Sequence, residues 1–191
     1  MNKLRLHIII GSTRPGRAGE PVAAWFRGMA EQHDAFEVTM VDLLDWQLPM
    51  LSEPKHPRLG EYTQDLTRRW SETIAKADAY VIVTPEYNYG YTAPVKNALD
   101  HLYREWNHKA VGFVAYGGAA GGARAVQMLK QVVTTLKMTP VFEAVYISFV
   151  QKLIDADGRL RSDEALDSAA EQLLDELARV SSALQGLRVT T

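Results

Sequence analysis

The sequence predicts a three-layer α/β fold around a parallel β-sheet, and two observations lead to this prediction. Short apolar runs alternate along the chain with segments whose apolar residues recur at helical spacing. The first run, residues 4–10, is almost continuously apolar, as expected of a parallel strand that helices cover on both faces. At 191 residues the chain is long enough for one such domain, and we expect residues 1–191 to form it.

Three strands and two helices are predicted in the first half of the chain. Gly11 ends the first strand, and residues 21–31 form a helix with a proline in its first turn. Residues 36–41 and 79–84 are the next two strands. Between them, residues 44–60 contain three prolines, which exclude a regular helix and predict a long loop with a function of its own. The helix that follows this loop has an apolar face of Tyr62, Leu66, Trp70, Ile74 and Ala77.

Two strands, 110–116 and 141–147, and three helices are predicted in the second half. Pro94 opens a helix whose buried face consists of Val95, Ala98, Leu99, Leu102 and Trp106. A glycine-rich turn leads into a helix over residues 126–136, which stops before a proline. A turn at residues 155–158 precedes the last helix, which is predicted to be capped by Ser162, Asp163 and Glu164.

The composition excludes several classes of function. There is no cysteine, so disulfides, thiolate metal sites and cysteine nucleophiles are excluded, and redox chemistry would need a bound cofactor. A net charge of -2 with scattered basic residues argues against a nucleic-acid surface. We find no apolar stretch of membrane-spanning or secretory length, and we therefore expect a cytoplasmic protein without a membrane partner. The histidines form no ligand cluster with carboxylates, so no metal site is predicted.

The loop after the first strand, residues 11–19, has the composition of an anion cradle, GSTRPGRAG. It joins a buried strand to a helix, so backbone N–H groups at the helix start can bind a phosphate. Hydroxyls at positions 12 and 13 and the guanidinium of Arg14 or Arg17 would add donors. A P-loop is excluded, because Arg17 and Ala18 replace the required lysine and hydroxyl residue. The alternative is a plain strand-to-helix turn with surface arginines.

Two further loops are expected beside this cradle, because ligands of open parallel sheets bind beyond the carboxyl ends of the strands. Residues 84–94 carry three tyrosines and Asn88, which could stack on a flat ring and bind its edge. The same tyrosines could instead pack at a subunit interface. Residues 116–122 contain four glycines, which let the backbone approach a ligand, although a flexible connection would look the same.

The segments GSTR (11–14), TPEYNY (84–89) and KNALD (96–100) resemble the NADPH-dependent FMN reductase family, and the resemblance covers nearly the whole chain. It implies a flavodoxin-like αβα sandwich with a five-stranded parallel sheet in the order 2-1-3-4-5, which binds FMN and takes NADPH or NADH as co-substrate. Relatives often carry Ser and Asn where this chain has Arg17 and Gly19. With the three loops, the resemblance predicts that the cofactor-binding residues are Gly11, Ser12, Thr13, Arg14, Arg17, Ala18, Gly19, Pro85, Glu86, Tyr87, Asn88, Tyr89, Tyr116, Gly117 and Gly118.

The activity that the resemblance implies is an NAD(P)H-dependent oxidoreductase. Hydride transfer through the flavin needs no catalytic side chain, and we expect ping-pong turnover with a quinone, free flavin or azo compound as acceptor. The alternative is a flavodoxin-type carrier that binds FMN without oxidising NAD(P)H. The family also implies a homodimer or homotetramer, for which residues 44–60 and Trp106 are candidate contacts, although both could simply cover the chain's own core.

Overall fold

Five parallel strands form one sheet in the order β2-β1-β3-β4-β5 in the computed structural model, which describes residues 3–188. Each neighbouring pair of strands runs in parallel. The predicted sheet and its strand order are therefore confirmed. The strands are β1 (Leu4–Ile10), β2 (Phe36–Asp42), β3 (Ala79–Pro85), β4 (Ala110–Tyr116) and β5 (Thr139–Ile147).

Helices cover both faces of this sheet and complete the three predicted layers. The helices are α1 (Gly19–Gln32), α2 (Leu43–Trp46), α3 (Asp65–Ala75), α4 (Ala93–Asp100), α5 (Ala123–Thr135) and α6 (Glu164–Arg188). Helices α1 and α6 bury their apolar residues against one face, and α3, α4 and α5 pack on the other. None of these helices combines the length and the apolarity that crossing a membrane requires.

Burial on both faces explains why the central strands are largely apolar. Along β1, Leu6 and Ile8 face the layer of α1 and α6, whereas Ile9 faces the layer of α3 and α4. Val81 and Ile82 on β3 divide between the two layers in the same way. Because successive side chains of a strand point to opposite faces, a strand with both faces covered is apolar at most positions; in β1 the exceptions are Arg5 and His7.

The helix after Pro94 is shorter than predicted. Helix α4 ends at Asp100, and a separate 3-10 turn (Arg104–Trp106) follows it. The predicted burial of Leu102 and Trp106 is nevertheless confirmed, since each is 1% exposed or less. The Trp106 Nε1 donates to the Leu99 carbonyl at 3.2 Å, so this ring folds back onto the end of α4. Apolar spacing alone did not separate a helix from a turn that buries the same residues.

Three smaller differences concern ends and caps. One helical turn, α2, interrupts the predicted loop over 44–60, and the Asp42 carboxylate caps it by accepting a hydrogen bond from the Leu44 N at 2.9 Å. Strand β5 starts at Thr139 and includes Pro140, which is tolerated because β5 lies at the edge of the sheet, next to a shift in its register with β4. Asp163, rather than Ser162, caps α6 by accepting from the Leu166 N at 2.9 Å.

Candidate functional site

A cleft of about 390 Å³ opens at the carboxyl edge of the sheet, in the size range of small-molecule sites. The three loops that the sequence singled out form three of its walls, because the carboxyl ends of β1, β3 and β4 lie side by side. The fourth wall follows β5. The predicted site residues that line the cleft are Arg14, Arg17, Ala18, Pro85, Glu86, Tyr87, Tyr116, Gly117 and Gly118.

The loop between β1 and α1 presents a series of unused backbone donors. From Ser12 to Gly19, no backbone N–H makes a hydrogen bond of ordinary geometry to another residue between 3 and 188, although residues 15–16 form a turn and Pro15 has no N–H. The first α1 bond that involves this loop is the one from the Val22 N to the Ala18 carbonyl, at 3.2 Å. No side chain caps this helix. N–H groups that point outward at a helix start form a binding site for an anion, so the local structure fits a phosphate group.

Arg17 lies in the cleft wall, but its guanidinium is engaged by the protein. It forms a two-pronged ion pair with Asp42 at the end of β2, with Nη1 to Oδ1 at 2.7 Å, and Nη1 also donates to the Ser12 carbonyl at 2.6 Å. The hydrogen bond to Asp42 raises the pKa of Arg17, so the charge is permanent. The side chain therefore fastens the loop to β2, and we assign it a positioning role.

Arg14 is the cation of this loop that faces solvent. Its guanidinium carbon lies 5.7 Å from the centre of the Tyr87 ring, and its side chain takes part in none of the ion pairs found among residues 3–188. The Tyr87 hydroxyl in turn contacts the buried Ser12 Oγ at 3.1 Å. Tyr87 thus joins the anion loop to the β3 loop, and Arg14 keeps its charge available at the cleft mouth.

Tyr116, the last residue of β4, places a buried hydroxyl against the start of α1. The residue is 4% exposed, and its Oη makes no hydrogen bond of ordinary geometry, although the Ser12 hydroxyl lies near enough to lower its pKa. A Cβ added to Gly19 would lie 2.8 Å from this oxygen, so the glycine leaves room for the tyrosine. Burial raises the pKa of Tyr116, and the hydroxyl stays protonated. An unpaired buried donor costs free energy.

The loop after β3 contains a two-residue turn. Tyr87 and Gly90 exchange backbone hydrogen bonds at 2.8 and 2.9 Å, and Asn88 and Tyr89 between them both have positive φ, 50° and 69°. This is the conformation of a type I′ turn, which favours asparagine. Asn88 and Tyr89 project beside the cleft and are not among its lining residues. Their predicted contact with a cofactor stays a prediction.

Glu86 contributes to the cleft wall, but its carboxylate points toward α5. The Arg124 Nε donates to Oε1 at 2.5 Å, and the Arg124 backbone N donates to Oε2 at 3.1 Å. The Arg124 guanidinium also lies 3.9 Å from the centre of the Tyr89 ring. The pair holds the β3 loop against α5, while the backbone N of Glu86 bonds to the Tyr116 carbonyl at 3.0 Å.

The loop after β4 needs glycine for steric reasons. A Cβ on Gly122 would lie 2.6 Å from the Ala115 Cβ, and Gly122 has a φ of 91°. Gly118 has open space around it, and its N–H donates to none of the described residues. This loop can therefore present backbone atoms directly to a ligand in the cleft.

The fourth wall, residues 149–152, was missed by the sequence analysis. Phe149 is 51% exposed and Lys152 stands over its ring at 5.0 Å. The Phe149 N donates to the Gly118 carbonyl at 3.1 Å, which ties this segment to the β4 loop. An exposed aromatic residue directly after the fifth strand was a usable signal, because that strand also ends at the carboxyl edge.

Four predicted residues of the first loop do not line the cleft, and one of them is Gly19, which packs against the Tyr116 hydroxyl. Gly11 packs closely against α4, since a Cβ added to it would lie 2.4 Å from the Val95 side chain. Ser12 is buried. Thr13 faces a second cavity of about 380 Å³ between α2 and α4, whose lining is mostly apolar. In the stretch 3–188, no three histidine or carboxylate side chains come together as a metal site would require.

Comparisons with known proteins point to one family and one fold. Residues 4–152 match the sequence model of a family described as NADPH-dependent FMN reductase. An NAD(P)H-dependent FMN reductase of Schizosaccharomyces pombe is 44% identical over 79% of this chain and 78% of its own length. A probable NADPH:quinone oxidoreductase of Oryza sativa is 28% identical over 96% and 91%, respectively. The solved flavoenzyme NAD(P)H:(acceptor) oxidoreductase of Paracoccus denitrificans superposes with a TM-score of 0.76 at 22% identity, covering 92% of this chain and 98% of that one.

Proposed function

The chain belongs to the NADPH-dependent FMN reductase family, and on this premise we propose that the cleft at the carboxyl edge of the sheet is its FMN site. The protein is an NAD(P)H-dependent oxidoreductase of the FMN reductase and quinone reductase type. The observation that carries the assignment of the site is the coincidence, in one cleft, of unused loop N–H groups and an unpaired buried hydroxyl.

The phosphate of FMN is assigned to the loop between β1 and α1. The backbone N–H groups of the cleft-lining residues Arg14, Gly16 and Ala18 would donate to it, and the positive end of α1 would stabilise its charge. Arg14 supplies a free guanidinium. The Tyr116 hydroxyl, which lacks a partner in the protein, would donate from the β4 side. Arg17 acts indirectly, since its ion pair with Asp42 sets the position of the loop.

The flat ring of FMN is assigned to the space between the ends of β3 and β4. Pro85 and Tyr87 form one side, and Gly117 and Gly118 form the other with their backbone atoms. When bound, FMN supplies the redox chemistry, taking a hydride from a reduced nicotinamide and passing electrons to an acceptor. No cysteine, histidine or aspartate lines the cleft within residues 3–188. The side chains therefore bind, orient and shield the reactants, and we assign none of them as acid, base or nucleophile.

The aromatic side chains at the rim of the cleft support ping-pong turnover. Tyr87 and Phe149 stand on the rim of the cleft, 37% and 51% exposed, and both could stack on an aromatic co-substrate. The nucleotide and the acceptor would then occupy the same space in turn. Initial rates measured at several fixed acceptor concentrations should give parallel double-reciprocal lines. Intersecting lines would show that both co-substrates bind together, and would contradict a shared space.

The acceptor is proposed to be a quinone or a flavin. The Oryza sativa relative is named a quinone oxidoreductase and the Schizosaccharomyces pombe relative an FMN reductase, and a rim of aromatic side chains suits either kind of ring. Anaerobic mixing of the FMN-loaded protein with NADPH should bleach the visible flavin band within the time of one turnover. A band that persists would refute the proposed function and favour an electron carrier. Turnover with quinones, flavins and azo compounds would then rank the acceptors.

Self-association remains part of the proposal, through the segment over residues 44–60. Met50 is 77% exposed, and Leu44 is 41% exposed beside the second cavity. Trp106, the other candidate contact, is wrong for this role because it is fully buried in the chain's own core. Light scattering on the purified protein should show a dimer or tetramer, and replacement of Met50 by Glu should shift it toward the monomer.

A further inference from the structure

A third cavity, distinct from the flavin cleft and from the cavity between α2 and α4, lies at the amino edge of the sheet. It encloses about 750 Å³. The residues that line it include Arg58, Tyr103, Arg104, Glu105, Asn107, Lys109, Lys137 and Arg188. Lys109 directly precedes β4 and Lys137 precedes β5, which fixes the cavity at the end where these strands begin. Seven-residue strands separate the two edges by on the order of 20 Å. Ligands in the two places cannot touch.

The lining of this cavity, which we name the basic pocket, is dominated by positive charge. Its basic residues are Arg58, Arg104, Lys109, Lys137 and Arg188, and its acidic lining residue is Glu105. The first four take part in none of the ion pairs between residues 3 and 188. Arg188 pairs with Asp78 at 3.1 Å. Clustered like charges repel one another, so a cavity of this kind attracts a counter-ion.

Glu105 does not supply that counter-charge to the arginines. Its carboxylate accepts hydrogen bonds from the Tyr62 hydroxyl at 2.9 Å, from the Ser71 hydroxyl at 2.6 Å and from the Tyr103 backbone N at 3.2 Å. These donors hold the carboxylate toward α3 and the segment before it. The hydrogen bonds of Arg58 and Arg104 go to neutral oxygens, and Glu61 is an acidic group whose charge Arg104 feels.

Two of the arginines are held in place before any ligand arrives. The Arg58 Nη2 donates to the Tyr103 hydroxyl at 3.0 Å, and the guanidinium lies 4.8 Å from the centre of that ring. The Arg104 Nε donates to the Arg58 carbonyl at 3.0 Å. Both groups keep terminal N–H donors available after these contacts. A fixed guanidinium loses less entropy on binding than a free one, and its fork matches the oxygens of a phosphate.

The floor of the basic pocket is a buried lysine. Lys109 is 6% exposed, and its Nζ donates to the carbonyls of Ile74 and Ala75, at 3.0 and 3.1 Å, and to the Tyr80 hydroxyl at 3.0 Å. Burial, followed by the charge of Arg188, lowers the pKa of Lys109 to about 7. An anion in the pocket would relieve this repulsion. Lys109 would act on it through its field, because its three donors are already engaged.

We propose that the basic pocket binds a small, multiply charged anion of the phosphate-ester or pyrophosphate class, independently of the flavin cleft. Arg58, Arg104 and Lys137 would contact the anion, since these three side chains belong to exposed residues at the rim. The recessed shape favours a compact ligand over an extended polyanion. A site so far from the cleft has no part in hydride transfer and serves binding or regulation.

The test is calorimetric titration of the FMN-saturated protein with pyrophosphate, at constant ionic strength set with sodium chloride. FMN saturation fills the phosphate cradle of the cleft. The variants Arg104→Gln and Lys137→Gln each remove one rim charge from an exposed residue. Each should weaken binding about tenfold, which is the effect of losing one charge-assisted hydrogen bond. Lys130→Gln is the matched control, because it removes a lysine of α5 that lies over the Phe142 ring, and it should leave binding unchanged.

Several results would overturn the proposal. Absence of pyrophosphate binding would refute the site. Weakening by Lys130→Gln as large as that by the rim variants would show only a general effect of charge. Loss of binding in an Arg14→Gln variant would place the anion in the flavin cleft instead. Tighter binding of a single-stranded oligonucleotide, with the same dependence on the two rim charges, would replace the compact ligand with an extended one.

Discussion

Replacement of Tyr116 by phenylalanine removes one oxygen atom from the wall of the cleft and should change stability and cofactor affinity in opposite directions. The hydroxyl is buried, with the residue 4% exposed, and it has no partner in the protein. An unpaired buried hydroxyl costs about 1–3 kcal/mol. The flavin-free Tyr116→Phe protein should therefore be as stable as the parent protein or more stable, by up to about 2 kcal/mol. Most substitutions of buried residues have the opposite effect.

The same substitution should weaken binding of FMN. A hydrogen bond from the hydroxyl to a charged phosphate contributes about 1.5–3 kcal/mol, which corresponds to about a tenfold to hundredfold increase in the dissociation constant. Riboflavin has the same ring without the phosphate, so its affinity should not change. Quenching of flavin fluorescence during titration of the flavin-free protein measures both constants. Thermal unfolding of the same samples measures stability.

Tyr146→Phe is the matched control for this experiment. Tyr146 is a partly exposed tyrosine on β5 that lines a different surface depression, so it should change neither the FMN nor the riboflavin constant. An equal loss of affinity for FMN and riboflavin in Tyr116→Phe would place the hydroxyl at the ring. An unchanged FMN constant would refute the assignment of Tyr116 to the phosphate.

Three further predictions concern the loop and the core. Arg17→Ala should lower the free energy of unfolding by about 3 kcal/mol, because it leaves the partly buried carboxylate of Asp42 unpaired. Arg27→Ala, which removes the exposed ion pair with Glu31, should lower it by less than about 1 kcal/mol. Equal losses in urea unfolding would contradict the positioning role of Arg17. Gly19→Ala should weaken FMN binding severalfold, since the new Cβ would lie 2.8 Å from the Tyr116 hydroxyl. Adding Tyr116→Phe should relieve this clash. A double variant that binds FMN more weakly than Tyr116→Phe alone would show that the clash lies elsewhere. Burial lowers the pKa of His7 from 6.5 to about 4, so between these two pH values the unfolded chain binds a proton that the folded chain does not. The free energy of unfolding should therefore fall by up to about 3 kcal/mol as the pH drops through this window. His7→Leu should flatten the curve of unfolding free energy against pH.

The strands were the most predictable part of the fold. The apolar runs at 4–10 and 110–116 coincide with β1 and β4, because strands with helices on both faces are apolar at most positions. The edge strand β5 was predicted two residues short, since its exposed side admits Pro140. Helix α4 was predicted too long for a different reason. Trp106 packs back onto the end of the helix, and the sequence pattern of a buried face is the same in a helix and in such a turn.

The site was predictable as a set of loops but not as a set of contacts. Strand order places the loops after β1, β3 and β4 side by side, and these loops carry the unusual residues. Whether Arg17 points to the ligand or away from it depends on Asp42, which lies 25 positions further along the chain. The wall over residues 149–152 depends on how the chain leaves an edge strand, and its sequence carries no motif.

The sequence by itself determined the layer architecture, the cleft at the carboxyl edge and the family chemistry, because these follow from local periodicity and from short segments of adjacent residues. The tertiary structure decided which polar groups are used and which are left over. It engaged Arg17 with Asp42 and left the Tyr116 hydroxyl without a partner. It also gathered Arg58, Arg104 and Lys137 into one pocket, although they stand up to 79 positions apart. Such pairings depend on distances between elements, and a one-dimensional pattern does not record those distances.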